Sequence, residues 1–333
     1  MPSRAPLTDS FGRIHTNLRM SVTDRCNIRC FYCMPEENVE FKPRHEILTF
    51  EELTRFARIS AEMGIEKLRL TGGEPLVRNN LCDLISALSQ IDGIRDIALT
   101  TNAVLLEDQA RRLKEAGLQR LNISLDTLND DTFFRLSRRR GIDKVLRGIA
   151  AAQEANFQKI RLNAIAIRGL TETEIIPLAR FALEHSLELR FIEFMPLDAD
   201  DNWGAKAVLT GDEIRTILEE EFGELMTSER SDPSQPALDF HFKHGGGKVG
   251  FINPVSEPFC SDCNRLRITA EGKVRNCLFS TEEWDARELM RTGKSDEQIE
   301  ALLRDCVQHK KLSHGIDSPE FQKPERAMYQ IGG

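Results

Sequence analysis

Long apolar runs are missing from this 333-residue chain. No window approaches the roughly 18 uninterrupted apolar residues of a membrane-spanning helix. The opening MPSRAPLTDSFGR has no apolar h-region, so no secretory signal is expected and a cytosolic (cytoplasmic) location is. Positive charge is not in excess: 45 Lys and Arg stand against 53 Asp and Glu, a formal net charge of −8. That balance argues against whole-protein affinity for DNA or RNA and leaves any anionic ligand to local arginines. A Walker A loop is absent, because G-x4-G-K-[ST] occurs nowhere and HGGGKV lacks both the spacing and the hydroxyl. No repeat beyond a strand–helix period and no low-complexity tract is seen. What is present is an ordinary globular composition, 40% apolar and 29% charged, able to bury a core and long enough for about two domains.

Short apolar runs alternate with amphipathic helical patterns through the first two thirds. Candidate strands are Asn17–Val22, Lys67–Thr71, Asp96–Thr100, Arg120–Leu125, Lys159–Ile165 and Glu188–Phe194. Helical patterns lie at Thr49–Met63, with Thr49 as N-cap, and at Asn80–Gln90, Glu107–Ala116, Asp143–Ala155 and Glu172–His185. Gly64, Gly93 and Gly117 stand where a C′ glycine belongs. Strand alternating with helix implies parallel units. Six of them predict an α/β fold, an incomplete (β/α)6 TIM-like barrel, with a doubly wound sheet as the rival. Past residue 225 the pattern breaks into a strand pair, Leu238–Phe242 and Lys248–Ile252, and a cysteine-bearing segment. The expected division is therefore 1–225 for the barrel and 226–333 for a small C-terminal domain.

Three of the eight cysteines fall in CNIRCFYC, as Cys26, Cys30 and Cys33, on the loop after the first strand. Barrel active sites collect on that face. Clustered thiols in a reducing compartment read as metal ligands or redox groups. Structural zinc wants a fourth ligand, for which His45 is the nearby candidate; an iron–sulfur cluster held by three cysteines leaves one iron open. A second set, Cys260, Cys263 and Cys277, brackets a hairpin turning at AEG, which would return Cys277 to the pair. A zinc ribbon lacking one ligand is the alternative there. Cys82 and Cys306 read as core thiols.

CNIRCFYC resembles the C-x3-C-x2-C signature of the radical S-adenosylmethionine superfamily. With LRLTGGEPLVR, LTTN, NISLDTL, ELRFIEFMPL, CSDCNRLRITAEGKVRNCLF and the terminal GG, the chain resembles the molybdenum-cofactor GTP 3′,8-cyclase family along nearly its whole length. The resemblance implies a [4Fe–4S] cluster on Cys26, Cys30 and Cys33 whose open iron holds S-adenosylmethionine. Tyr32, Gly73, Ser124, Met195 and Arg190 would contact that cofactor. A second [4Fe–4S] cluster on Cys260, Cys263 and Cys277 would meet the guanine of GTP. Arg19, Arg69, Thr100, Arg161, Arg265, Leu266 and Arg267 would bind the GTP itself. A deoxyadenosyl radical would take the 3′ hydrogen, and attack on C8 would give 3′,8-cyclo-7,8-dihydro-GTP. Further implied partners are an external electron donor and a downstream enzyme forming cyclic pyranopterin monophosphate, with a homodimer as the candidate assembly. The Gly332–Gly333 tail would reach the active site. The family commonly has Lys at Arg161 and Gly at Ala103. The basic run RLSRRRG, Arg135–Gly141, is read as a solvated helix end and left out of the site. A peptide-modifying radical enzyme and a zinc-stabilised binding protein are the rival functions.

Overall fold

In the computed structural model, which describes residues 4–230, 232–243, 245–316 and 318–332, the strand–helix alternation forms six consecutive units. They run β1 (Asn17–Ser21), α1 (Phe50–Glu62), β2 (Lys67–Thr71), α2 (Leu81–Ser89), β3 (Asp96–Thr101), α3 (Ala110–Glu115) and β4 (Arg120–Ser124). Then come α4 (Asp130–Ser137), α5 (Ile142–Glu154), β5 (Lys159–Ala166), α6 (Ile175–Glu184) and β6 (Glu188–Glu193). The remaining chain supplies α7 (Gly211–Phe222), β7 (Leu225–Thr227), β8 (Leu238–Phe242), β9 (Lys248–Ile252), β10 (Arg265–Ile268), β11 (Lys273–Arg275) and β12 (Trp284–Asp285), then α8 (Ala286–Arg291), α9 (Asp296–Gln308) and α10 (Met328–Ile331). Gly333, half of the expected tail, lies outside the described residues. Among the described residues no helix is long and apolar enough to cross a membrane.

Local chemistry sets several boundaries. Thr49 and Glu52 form a reciprocal capping box that starts α1. Asn129 accepts from the Asp131 and Thr132 amides and so opens α4, a helix the alternation did not foresee. Gly64 ends α1 at φ 99°, where a side chain would be strained. Ala103 adopts φ 59° at 0% exposure, so an alanine occupies a left-handed turn.

The strands form one sheet in the order β12-β11-β10-β1-β2-β3-β4-β5-β6-β9-β8-β7, and β1 to β6 are mutually parallel. Six sequential neighbours make a barrel wall; a doubly wound sheet would reverse its order part-way. The strands after residue 225 extend this same sheet. β10 pairs in parallel with β1, and β9 with β6. Both edges of an open barrel, with their unpaired backbone groups, are thereby covered.

Alternation along each strand divides the molecule. Leu18, Leu68, Leu99, Leu121, Leu162 and Leu189 face the helices and pack with Phe56, Leu84, Leu113, Val145 and Leu178 in the main core. The other face carries Arg19, Arg69, Thr100, Asn122, Asn163 and Arg190. Branched apolar side chains fill a closed barrel; polar ones here leave a cavity.

Candidate radical active site

The cavity, of about 310 Å³, is lined by both cysteine trios. Cys26, Cys30 and Cys33 lie on the loop after β1. There the amides of Cys33 and Met34 both donate to the Cys30 carbonyl at 2.9 Å. The end of α4 holds this loop from outside: the Arg29 amide donates to Ser137 O at 2.9 Å and that of Phe31 to Leu136 O at 3.1 Å. Arg138, in the basic run, reaches the same loop through Met34 O at 3.2 Å. Cys260 and Cys263 flank a short 3-10 turn, and Cys277 follows β11, so the β10–β11 hairpin does return it to the pair. All eight cysteines are free. Cys306 is buried in the core on α9, and Cys82 packs against the core on α2.

Among the described residues, no group of three or more His, Cys, Asp or Glu forms a single-ion metal site. A four-iron cluster places each thiolate on its own iron, so its ligands need not converge on one point. The two trios differ in surroundings. Burial pushes the Cys26 thiol up to about 11, with Glu74 adding to the effect, and pushes Cys30 and Cys33 upward too. Burial also opposes ionisation of Cys263, yet Arg265 and Lys310 outweigh it and draw that thiol down to about 5.

A cluster of guanidiniums faces the thiols. Arg19 stands in register with Arg69 on one side and Arg267 on the other. The Nε atoms of Arg19 and Arg69 are buried and have no hydrogen-bond partner among the described residues, and neither do Thr100 Oγ1 and Asn122 Nδ2. Burial and the neighbouring Arg267 and Arg265 pull Arg19 well below its ordinary value; burial and Arg19, followed by Arg120, Arg161 and Arg190, do the same to Arg69. Burial brings Arg267 down to about 9. It donates to Gly332 O, so the described half of the tail is tied to an arginine that lines the cavity. Stacked cations without counter-ions are costly, and an anion in the cavity relieves that cost.

Sixteen of the eighteen expected site residues line the cavity: Tyr32, Gly73, Ser124, Met195, Arg190, Arg19, Arg69, Thr100, Arg265, Arg267 and the six cysteines. Arg161 and Leu266 do not. Arg161 sits low in the barrel, 5% exposed, with Nε donating to Glu188 at 2.5 Å. Leu266 alternates with Arg265 and Arg267, so its side chain faces the core instead. Arg190 lines the cavity but is also paired, its Nη2 3.2 Å from both carboxylate oxygens of Asp239.

The comparisons with known proteins agree with this geometry. The family model described as Radical SAM superfamily matches residues 20–182, and that described as Molybdenum Cofactor Synthesis C matches 187–316. The GTP 3′,8-cyclase of Rhodopirellula baltica is 53% identical over 330 residues, spanning 98% of this chain and 92% of that protein. That of Streptomyces coelicolor is 43% identical over 98% of this chain and 96% of its own. The chain belongs to the GTP 3′,8-cyclase family of radical S-adenosylmethionine proteins. Streptococcus suis SuiB shares the fold at TM-score 0.63 and 17% identity, over 91% of this chain and 68% of its own. The structure titled anSMEcpe with bound AdoMet does so at 0.58 and 15%, over 94% and 93%.

As a radical S-adenosylmethionine protein, the chain uses that cofactor and an iron–sulfur cluster. The cyclase fold explains its GG pair by packing. A Cβ on Gly73 would lie 2.3 Å from Arg25 O, and one on Gly72 2.3 Å from Thr23 O. The glycines thus let the GGEP turn press against the backbone leading into Cys26. Two carboxyls lining this cyclase cavity, the buried Glu74 and the half-buried Asp126, escaped the sequence reading. Burial pushes Glu74 up to about 7, although it accepts from the Leu76 and Asn102 amides and the Thr101 hydroxyl. Burial also pushes Asp126 up to about 6, where it accepts from the Tyr32 hydroxyl at 2.6 Å. A charged residue just beyond an apolar strand, as in SLD, was the available signal.

Proposed function

We propose that this chain converts GTP to 3′,8-cyclo-7,8-dihydro-GTP in molybdenum cofactor biosynthesis, using S-adenosylmethionine and two [4Fe–4S] clusters. The observation that carries the reading is the shared cavity: two cysteine trios and a set of uncompensated guanidiniums line one space. The residues fit the groups. Each trio offers three thiol donors and leaves one iron site without a cysteine. Unpartnered Nε atoms on Arg19 and Arg69 await an anion of high charge. When bound, the clusters and S-adenosylmethionine supply an organic radical able to take a sugar hydrogen, together with electrons for its start and finish.

This chain's residues position the reactants. Arg19, Arg69 and Arg267, with Thr100 and Arg265, hold the nucleotide from the strand wall. Cys26, Cys30 and Cys33 carry the first cluster, while Tyr32, Gly73, Ser124 and Met195 border the cofactor, with Arg190 fixed beside it by Asp239. Cys260, Cys263 and Cys277 carry the second cluster. Arg161 and Leu266 support the wall without touching ligand. The boundary near residue 225 separates the barrel units from strands that brace both edges. An external low-potential donor, a downstream enzyme forming cyclic pyranopterin monophosphate and a cytoplasmic setting belong to the same reading, with a homodimer as its candidate assembly.

Anaerobic incubation of reconstituted protein with GTP, S-adenosylmethionine and dithionite tests it. The expected products are 5′-deoxyadenosine and a cyclised nucleotide in equal amounts. Cleavage of the cofactor with GTP recovered intact would overturn the substrate assignment.

A further inference from the structure

Lys310, two residues beyond α9, is 4% exposed, although lysines are seldom fully buried without a partner. Its ammonium donates to Arg265 O at 2.8 Å and lies 3.5 Å from Cys263 Sγ. The same sulfur receives Arg265 Nε at 3.3 Å. The segment carrying Lys310 is tied to the cysteine loop by one arginine. Arg13 Nη1 donates to Cys260 O at 2.7 Å and Leu312 O at 3.2 Å, and its Nη2 donates to Lys311 O at 2.9 Å. Asp9 holds Arg13 in turn, at 2.6 Å from its Nε. Lysine and cysteine are thus fixed on one rigid network.

Among the described residues no Lys or Arg hydrogen-bonds a sulfur of the first trio; Arg29 Nη1 donates instead to the Cys26 carbonyl at 2.8 Å. The side-chain amide of Asn102 lies 3.7 Å from Cys26 Sγ, a neutral contact. Glu74 and Asp126 place carboxyls near Cys26 and Cys30. The second set thus has two cationic donors directly on a sulfur, whereas the cation beside the first, Arg29, bonds a carbonyl, and carboxyls stand near the thiols. Reducing a cluster adds negative charge to it, so donors and cations at its sulfurs favour the reduced form.

We propose that Lys310 is a positioning residue for the second cluster, its buried charge on Cys263 holding that cluster at a higher reduction potential than the first. The inference rests on the two-cluster reading above. The step concerned is a one-electron reduction from the 2+ to the 1+ state. The electron comes from the low-potential donor the reaction already requires; no bond forms or breaks and no proton moves.

The test is a redox titration, followed by electron paramagnetic resonance, of anaerobically reconstituted full chain. It is run on a Cys26→Ala/Cys30→Ala/Cys33→Ala background, which leaves only the second cluster, with iron and sulfide counted in each sample. Lys310→Met keeps length and removes charge; the expected result is an unchanged iron count and a midpoint shifted to more negative potential. Lys310→Arg should restore most of the shift. Should Lys310→Met lose iron, Lys310→Gln, which keeps a neutral donor, is titrated instead: a midpoint below wild type supports the proposal and a wild-type midpoint overturns it. An intact cluster whose potential ignores Lys310→Met also overturns it, leaving the two-cluster reading standing. A background variant that binds no iron overturns that reading and the proposal with it.

Discussion

Arg19 and Arg69 stand opposite each other on adjacent parallel strands, and the Nε of each is buried without a partner among the described residues. Both side chains open into the cavity, so an anion that enters relieves their mutual repulsion. Replacing either therefore has two opposed effects. Arg69→Gln should weaken GTP binding about 10- to 100-fold, the range for a lost charge-assisted hydrogen bond. The ligand-free variant should melt no lower than wild type, because a like-charge contact has gone. Anaerobic equilibrium dialysis and thermal scans with and without GTP read both effects. A variant that melts lower and binds GTP normally would show the arginine to be structural.

Gly73→Ala places a methyl 2.3 Å from Arg25 O, a backbone atom that has no rotamer with which to retreat. The turn must move, at a cost of about 1–3 kcal/mol, and the backbone entering Cys26 moves with it. The expected outcome is loss of iron from the first cluster with the second retained, counted after reconstitution. Full iron occupancy would show that the loop tolerates the shift.

Glu74 gives the molecule a pH dependence. Its folded value of about 7 is raised above that of an unfolded glutamate, so the folded protein binds the proton more tightly. Stability from this group is present below the unfolded value and is lost as pH rises through about 7, by up to about 3 kcal/mol. Glu74→Gln removes the titration but also disturbs one accepted bond. Relative to wild type, it should gain stability between pH 5 and pH 8 in anaerobic urea denaturation. A difference that stays flat across that range would contradict the assignment.

Ala103 and Gly148 form a coupled pair. A Cβ on Gly148 would lie 2.5 Å from Ala103 O, and Ala103 itself holds φ 59°. Gly148→Ala should cost about 1–3 kcal/mol through the clash. Ala103→Gly relieves about 1–2 kcal/mol of left-handed strain but loses about 0.8 kcal/mol of methyl burial and adds freedom to the unfolded chain. Its melting temperature should stay close to wild type. A large drop would mean that the Ala103 methyl matters to packing more than the turn does.

The barrel was legible because apolar strands and amphipathic helices alternate with clear punctuation: five of the six expected strand starts to β6 carry a charge, as Lys67 and Glu188 do, and Gly64 closes α1. The cysteine trios were legible from spacing and from family resemblance together. The resemblance grouped Arg265, Leu266 and Arg267 as contacts; alternation along β10 puts the two arginines on one face and turns Leu266 toward the core. The depth of Arg161 depends on its register with Glu188, and the pairing of Arg190 on Asp239, 49 residues away. Neither is a local property of sequence. The edge strands β9 and β10 are non-local too, since which barrel strand each joins is decided by backbone groups left open at β6 and β1. The resemblance puts Gly73 in contact with the cofactor; the tightest neighbour of its missing Cβ is the chain's own Arg25 O.

The most direct measurement is the iron and sulfide content of anaerobically reconstituted protein, with and without Cys260→Ala/Cys263→Ala/Cys277→Ala. Two four-iron clusters predict about eight irons per chain, falling to about four when the second trio is removed. About four irons in the wild type, or a count unchanged by those substitutions, would contradict a cavity built between two clusters.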